Sequence, residues 1–130
     1  MDERNAEIAN GVKVLVPAGM LGAGINADYV RHGISRGAHA IAVDAGSTDS
    51  GPSYLARAVS KMNRAAISRD MEVLVSQAYA AHIPLLVGTC GTCGADDAVN
   101  WTRDIVIDVA GSLGIQPNIA CLYSEQTREG

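Results

Sequence analysis

Apolar residues along this chain fall into two kinds of run. Short blocks rich in Val, Ile, Leu and Ala, at residues 12–16, 38–43, 83–87 and 118–123, hardly alternate with polar positions and are bounded by Gly, Pro or polar clusters. That pattern predicts strands buried on both faces. Between the blocks, apolar positions recur at intervals of three and four. Asn26 has the place of a helix N-cap, with Asp28 in the first turn, Val30 and Ile34 on one face and Gly37 as the stop. A second stripe, Ile67, Met71, Leu74, Val75 and Ala78, predicts a helix from the cap Asn63 to about His82. A third, Val99, Thr102, Val106, Val109, Ala110 and Leu113, follows a cap at Asp96 or Asp97 and stops at Gly114. Residues 52–60 allow a helical turn or two, on which Tyr54, Leu55 and Val59 share a face.

The resulting order, β-α-β-α-β-α-β, predicts an α/β fold: a Rossmann-like three-layer sandwich with a mainly parallel four-stranded sheet and helices on both faces. Residues 1–11 read as a polar N-terminal tail and residues 12–130 as a single α/β domain, a length that supports one core. The core is built from aliphatic side chains, since the chain has one Trp, four Tyr and no Phe.

Charge narrows the partners. Ten Lys and Arg stand against 14 Asp and Glu, with no block of either sign, which argues against a nucleic-acid or anionic-membrane surface. No apolar run reaches the roughly 18 residues of a membrane span, and the first residues carry no apolar signal core, so a cytoplasmic location is expected. Three cysteines, two of them spaced as Cys90 and Cys93, make no disulfide framework and fit a reducing compartment.

In a parallel α/β sheet, ligands sit beyond the carboxyl ends of the strands. Four polar loops are expected there, beginning at Gly19, Asp44, Gly88 and Ser124. The densest carries Asp44, Gly46, Ser47, Thr48, Asp49 and Ser50 ahead of Gly51 and Pro52. Any one of these residues is explained by capping or an Asx-turn. Their concentration in one loop points instead to the wall of a ligand site, with Asp44 and Asp49 as candidate acid and base and the hydroxyls as donors. Lys61, a little further on, could balance the carboxylates or simply be solvated.

Gly88, Thr89, Gly91 and Thr92, continued by Gly94, place three glycines at intervals of three just ahead of a helix. Open amides, hydroxyls and the positive end of the helix would hold a phosphate or carboxylate there, although no Gly-Lys-Ser/Thr follows as in a P-loop. Gly19, Gly22 and Gly24 also follow a strand, and Asp44 stands where a ribose-binding acid would in a dinucleotide site, but the glycine order is reversed. Nucleotide binding is therefore the lesser alternative. Cys90 and Cys93 at a helix start would have their thiolates favoured by the helix dipole, which keeps a redox role open. A zinc site lacks ligands, because Cys121 falls in a predicted buried strand and His32, His39 and His82 show no ligand spacing. No metal and no cofactor are assigned. Glu125 is the last candidate acid at this end of the sheet.

Residues 41–52, Ser68 to Asp70, the strand 83–88 with its glycine loop, and Tyr123 to Gln126 together resemble the N-terminal part of the acyclic terpene utilisation (AtuA-like) family, over about residues 12–126. The resemblance implies bacterial catabolism of acyclic terpenoids or related branched acids handled as acyl-CoA thioesters, with no defined reaction. Chains of that family continue past the fourth strand, which implies that this one is a fragment or half domain. Its relatives often carry other small residues where Cys90 and Cys93 stand. The expected ligand is thus a small carboxylate or acyl-CoA. An unpaired fourth strand would seek a homo-oligomer or a missing C-terminal partner domain, which makes a non-catalytic binding or assembly module the alternative to an enzyme.

Overall fold

A computed structural model describes residues 11–47 and 49–128. Three parallel strands, β1 (Val14–Leu15), β2 (Ala40–Gly46) and β3 (Leu85–Thr92), form one sheet in the order β1-β2-β3. The register sets Val14 beside Ala40 and Ile41 beside Leu85. Among the described residues four helices connect or follow them: α1 (Ala27–Ser35), α2 (Gly51–Arg57), α3 (Arg64–Ala81) and α4 (Asp96–Leu113).

The helices form where the stripes and caps predict them. Asn26 Oδ1 accepts from the amides of Asp28 at 2.9 Å and Tyr29 at 3.3 Å, and Asn63 Oδ1 from Ala66 at 2.8 Å. Helix α4 departs from expectation: its N-cap is Ala95, with no side-chain bond, and Asp96 and Asp97 lie in the first turn. Carboxylates there suit the helix dipole without capping it. Helix α3 ends on His82 in the left-handed conformation, at φ 54°, with no glycine at its cap.

Successive parallel neighbours joined by right-handed crossovers place all their helices on one side of a sheet. Accordingly α3 packs between α1 and α4, and the three long helices cover one face. Ile41, Val43 and Ala45 of β2 point into that face, against Leu21, Val30, Ile67, Met71, Leu74, Ile105 and Val109. The other face lies open, with Val14 at 51% exposure, the flanking Val12 and Val16 at 60% and 64%, and Leu86 at 55%. The described residues thus make two layers where three were expected. Unbroken strand hydrophobicity reports that both faces are apolar, and says nothing about what covers the second one.

Among the described residues the sheet has three strands, not four. Residues 118–123 pair with no strand of the sheet. Their chain and β3 are opposite walls of a groove of about 1060 Å3. Two features work against pairing. Pro117 supplies no backbone donor at the start of the segment, and the second half of β3 is distorted by left-handed residues. Side-chain bonds hold the segment instead, Tyr123 Oη donating to Asn100 Oδ1 at 2.5 Å. Among the described residues no helix is long and apolar enough to cross a membrane.

Candidate functional site

Strand β2 does not stop at Val43 as the apolar run suggests. It continues through Asp44, Ala45 and Gly46, and β3 continues from Leu85 to Thr92, so the two loops of highest polar density are paired with each other. Asp44 stands beside Gly88 and Gly46 beside Thr92, two steps along β2 against four along β3. The surplus residues of β3 buckle into a bulge, in which Thr89 has φ 52°, Gly91 61° and Thr92 81°. For a β-branched residue the left-handed region is costly, on the order of 1–3 kcal/mol each, and it persists only where surroundings impose it.

Those surroundings can be named. Thr92 is fully buried, and its Oγ1 accepts the Lys61 amide at 2.8 Å and lies 3.4 Å from Ser60 Oγ. Its carbonyl accepts the Ser47 amide at 3.3 Å. Gly46 admits the fold of Thr89 over it, since a Cβ at Gly46 would lie 2.0 Å from Thr89 Cγ2. Gly91 is pressed against α4, where a Cβ would come within 2.6 Å of the Ala98 side chain. Gly46, Gly91 and Thr92, all expected to touch ligand, therefore lock the bulge together. The polar groups left facing outward are those of Asp44, Asp49 and Thr89, with Ser47 half-buried and Gly88 uncovered beside Asp44. Thr48 lies outside the described residues.

Asp44 is exposed and its Oδ1 accepts the Gly46 amide at 2.8 Å, an Asx-type bond that fixes the carboxylate and leaves its second oxygen to solvent or ligand. Asp49 is exposed in the turn before α2. Ser50 Oγ is buried and has no hydrogen-bond partner among the described residues. A buried hydroxyl without a partner requires an explanation.

The first glycine loop, Gly19 to Gly24, already holds an anion of the chain's own. Asp70, fully buried on α3, accepts the amides of Gly22 at 2.7 Å and Gly24 at 3.1 Å with one oxygen, and Arg69 Nε at 3.2 Å with the other. Arg69 also donates to the Gly22 carbonyl at 3.2 Å. The amides that would cradle a pyrophosphate are thereby engaged, which removes the main support for dinucleotide binding. At the start of α4, which follows the carboxyl end of β3, the Asp96 amide donates to Glu125 Oε1 at 2.9 Å, so Glu125 is a helix-terminal anion. Sequence reasoning did not give Asp70 this role. Its signal was a charged residue inside the apolar stripe, between Ile67 and Met71 on the same face.

Burial works against the thiolate form of Cys90. Burial pushes its pKa up, a bond with Thr102 lowers it, and the neighbouring Cys121 raises it again. Its Sγ donates to the Val87 carbonyl at 3.5 Å. Gly88 and Thr89 form the rim shared by the polar cluster and the 1060 Å3 groove, whose walls include Val87, Val99, Val106, Ile119 and Leu122. Among the described residues no three of His, Cys, Asp and Glu converge to hold a metal ion. Compared with models of known protein families, with curated proteins and with solved structures, the chain matches none.

Proposed function

We propose that this is a Rossmann-like domain that binds a small acyl compound, a branched carboxylate or acyl-CoA thioester, at the carboxyl ends of β2 and β3. The observation that carries the reading is the position of Gly88 and Thr89, which line the mostly apolar groove, with the exposed Asp44 paired beside Gly88. An acyl chain of moderate length fits such a groove, and its polar end would reach Thr89, Ser47 and the unpartnered Ser50 hydroxyl. Asp44, fixed through one oxygen, has the other free to accept a proton, and Asp49 is the second candidate acid or base. The resemblance to the acyclic terpene utilisation family supports the same ligand class. The test is a thermal-shift panel of branched carboxylates, their CoA thioesters and adenine nucleotides, because a ligand of the native state raises the melting temperature by mass action. A shift with acyl ligands that is lost in Asp49→Ala and Ser50→Ala supports the proposal. A shift with adenine nucleotides alone, or none at all, contradicts it.

A second reading, an assembly module without chemistry, is favoured by one specific observation, the uncovered sheet face bearing Val12, Val14, Val16 and Leu86. Such a face would be covered in a homo-oligomer or by a partner domain. Sedimentation that finds a strict monomer, insensitive to Val14→Lys, would refute self-assembly through that face.

A further inference from the structure

The groove beside β3 has a cysteine on each wall. Cys90 belongs to β3, and Cys121 belongs to the segment that lines the far side, 116–124. All three cysteines of the chain are free thiols and half-buried. Cys90 and Cys121 both line this groove, one from β3 and one from the unpaired segment. The wall that carries Cys121 has no strand pairing, and its described hydrogen bond to the rest of the fold is made by the side chain of Tyr123, with that of Glu125 just beyond it. It can move as a unit without breaking the sheet.

We propose that Cys90 and Cys121 form a reversible disulfide that draws the 116–124 segment onto the edge of β3 and closes the groove. The pairing differs from the Cys90 and Cys93 motif that the sequence displays. Cys93 follows within the same bulged turn, so joining it to Cys90 would constrain no second wall. The oxidant is a low-molecular-weight disulfide of the glutathione type. The Cys121 thiolate attacks one of its sulfurs, forming a mixed disulfide and releasing one small thiolate. Cys90, held as a thiol by burial and its bond to the Val87 carbonyl, loses its proton to solvent and attacks the Cys121 sulfur, and the second small thiol leaves. Two protein thiols are oxidised by two electrons, one small disulfide is reduced to two thiols, and a dithiol reductant reverses the step. The inference holds whatever molecule the groove takes.

The experiment uses the native chain equilibrated with oxidised glutathione, quenched with an alkylating reagent and digested with trypsin. Cleavage after Arg103 separates Cys121 from both Cys90 and Cys93. A cross-linked peptide pair is expected, present also in Cys93→Ser and absent in Cys121→Ser. In urea the same chain should instead join Cys90 to Cys93, the shortest loop available. Amide exchange across residues 118–124 should slow at least about tenfold on oxidation, as expected when an unpaired segment becomes protected. A native protein that joins Cys90 to Cys93, forms only intermolecular disulfides, or stops at glutathione adducts overturns the proposal. So does a crosslink with the same pairing ratio as the unfolded chain, or one that leaves exchange at 118–124 unchanged.

Discussion

Replacing Asp70 by Ala tests how the first glycine loop is held. In the native protein the carboxylate is 1% exposed, and it accepts the Gly22 amide at 2.7 Å in a fully buried bond and the Gly24 amide at 3.1 Å in a half-buried one. Its other oxygen meets Arg69, whose own side chain is largely exposed and adds little. A buried bond to a charged acceptor contributes about 2–3 kcal/mol, and the half-buried one about 1 kcal/mol, so Asp70→Ala should cost about 3–4 kcal/mol. Asp70→Asn keeps one acceptor oxygen and should cost about 1–2 kcal/mol. Trp101, the only tryptophan, packs half-buried against the core and reports unfolding without a label. In urea, with a slope of about 1.5 kcal/mol per molar, the Ala variant should lose about 2–2.7 M in its midpoint, and the Asn variant about 1 M. Equal losses in the two variants would mean that packing, not charge, holds the loop. An Ala variant within about 0.5 kcal/mol of the parent would refute the assignment of Asp70 as its anchor.

Other consequences are checked with the same unfolding assay or simple labelling. Gly46→Ala would drive a Cβ to 2.0 Å from Thr89 Cγ2 and 2.8 Å from the Thr92 carbonyl, and should cost about 2–3 kcal/mol by overpacking. Thr92→Val keeps the shape but removes the acceptor of the Lys61 amide, for a loss of about 1–3 kcal/mol. Ser50→Ala removes a hydroxyl with no partner among the described residues, so stability should change by less than about 0.5 kcal/mol while any acyl-ligand shift falls. Because burial raises the Cys90 pKa, the unfolded chain gives up that proton first. The stability that this thiol contributes is complete below the ordinary thiol pKa and declines as pH rises from about 8.5 through the folded value. Cys90→Ser should flatten that alkaline decline in a urea series.

The helices were readable in the sequence because their signals are local. Stripes at three and four residues fix α3 and α4, and Asn26 and Asn63 show their capping role by type and place. The strand ends were not readable. Gly88 to Thr92 has the composition of a loop, yet it is strand, since a bulge absorbs the glycines and two left-handed threonines that no propensity would place there. Residues 118–123 have the composition of a strand, yet they lack a partner, because hydrophobicity specifies burial and leaves pairing to backbone geometry. Of the candidate site, the loop from Asp44 to Ser50 was found by polar density alone. The division between residues that face outward and those that lock the bulge, Gly46, Gly91 and Thr92, depends on a register shift that is set by tertiary contacts. Asp70 was visible only as an exception to an apolar stripe.

The proposed ligand site is tested most directly by titrating a branched medium-chain acyl-CoA, and its free acid, into isotope-labelled protein while following the backbone amides. Perturbations concentrated at Ser47, Ser50, Gly88 and Thr89, continuing to Ile119 and Leu122 along the groove, are the predicted result. Perturbations confined to Val12, Val14 and Val16 on the open sheet face, or none at saturating ligand, would contradict it.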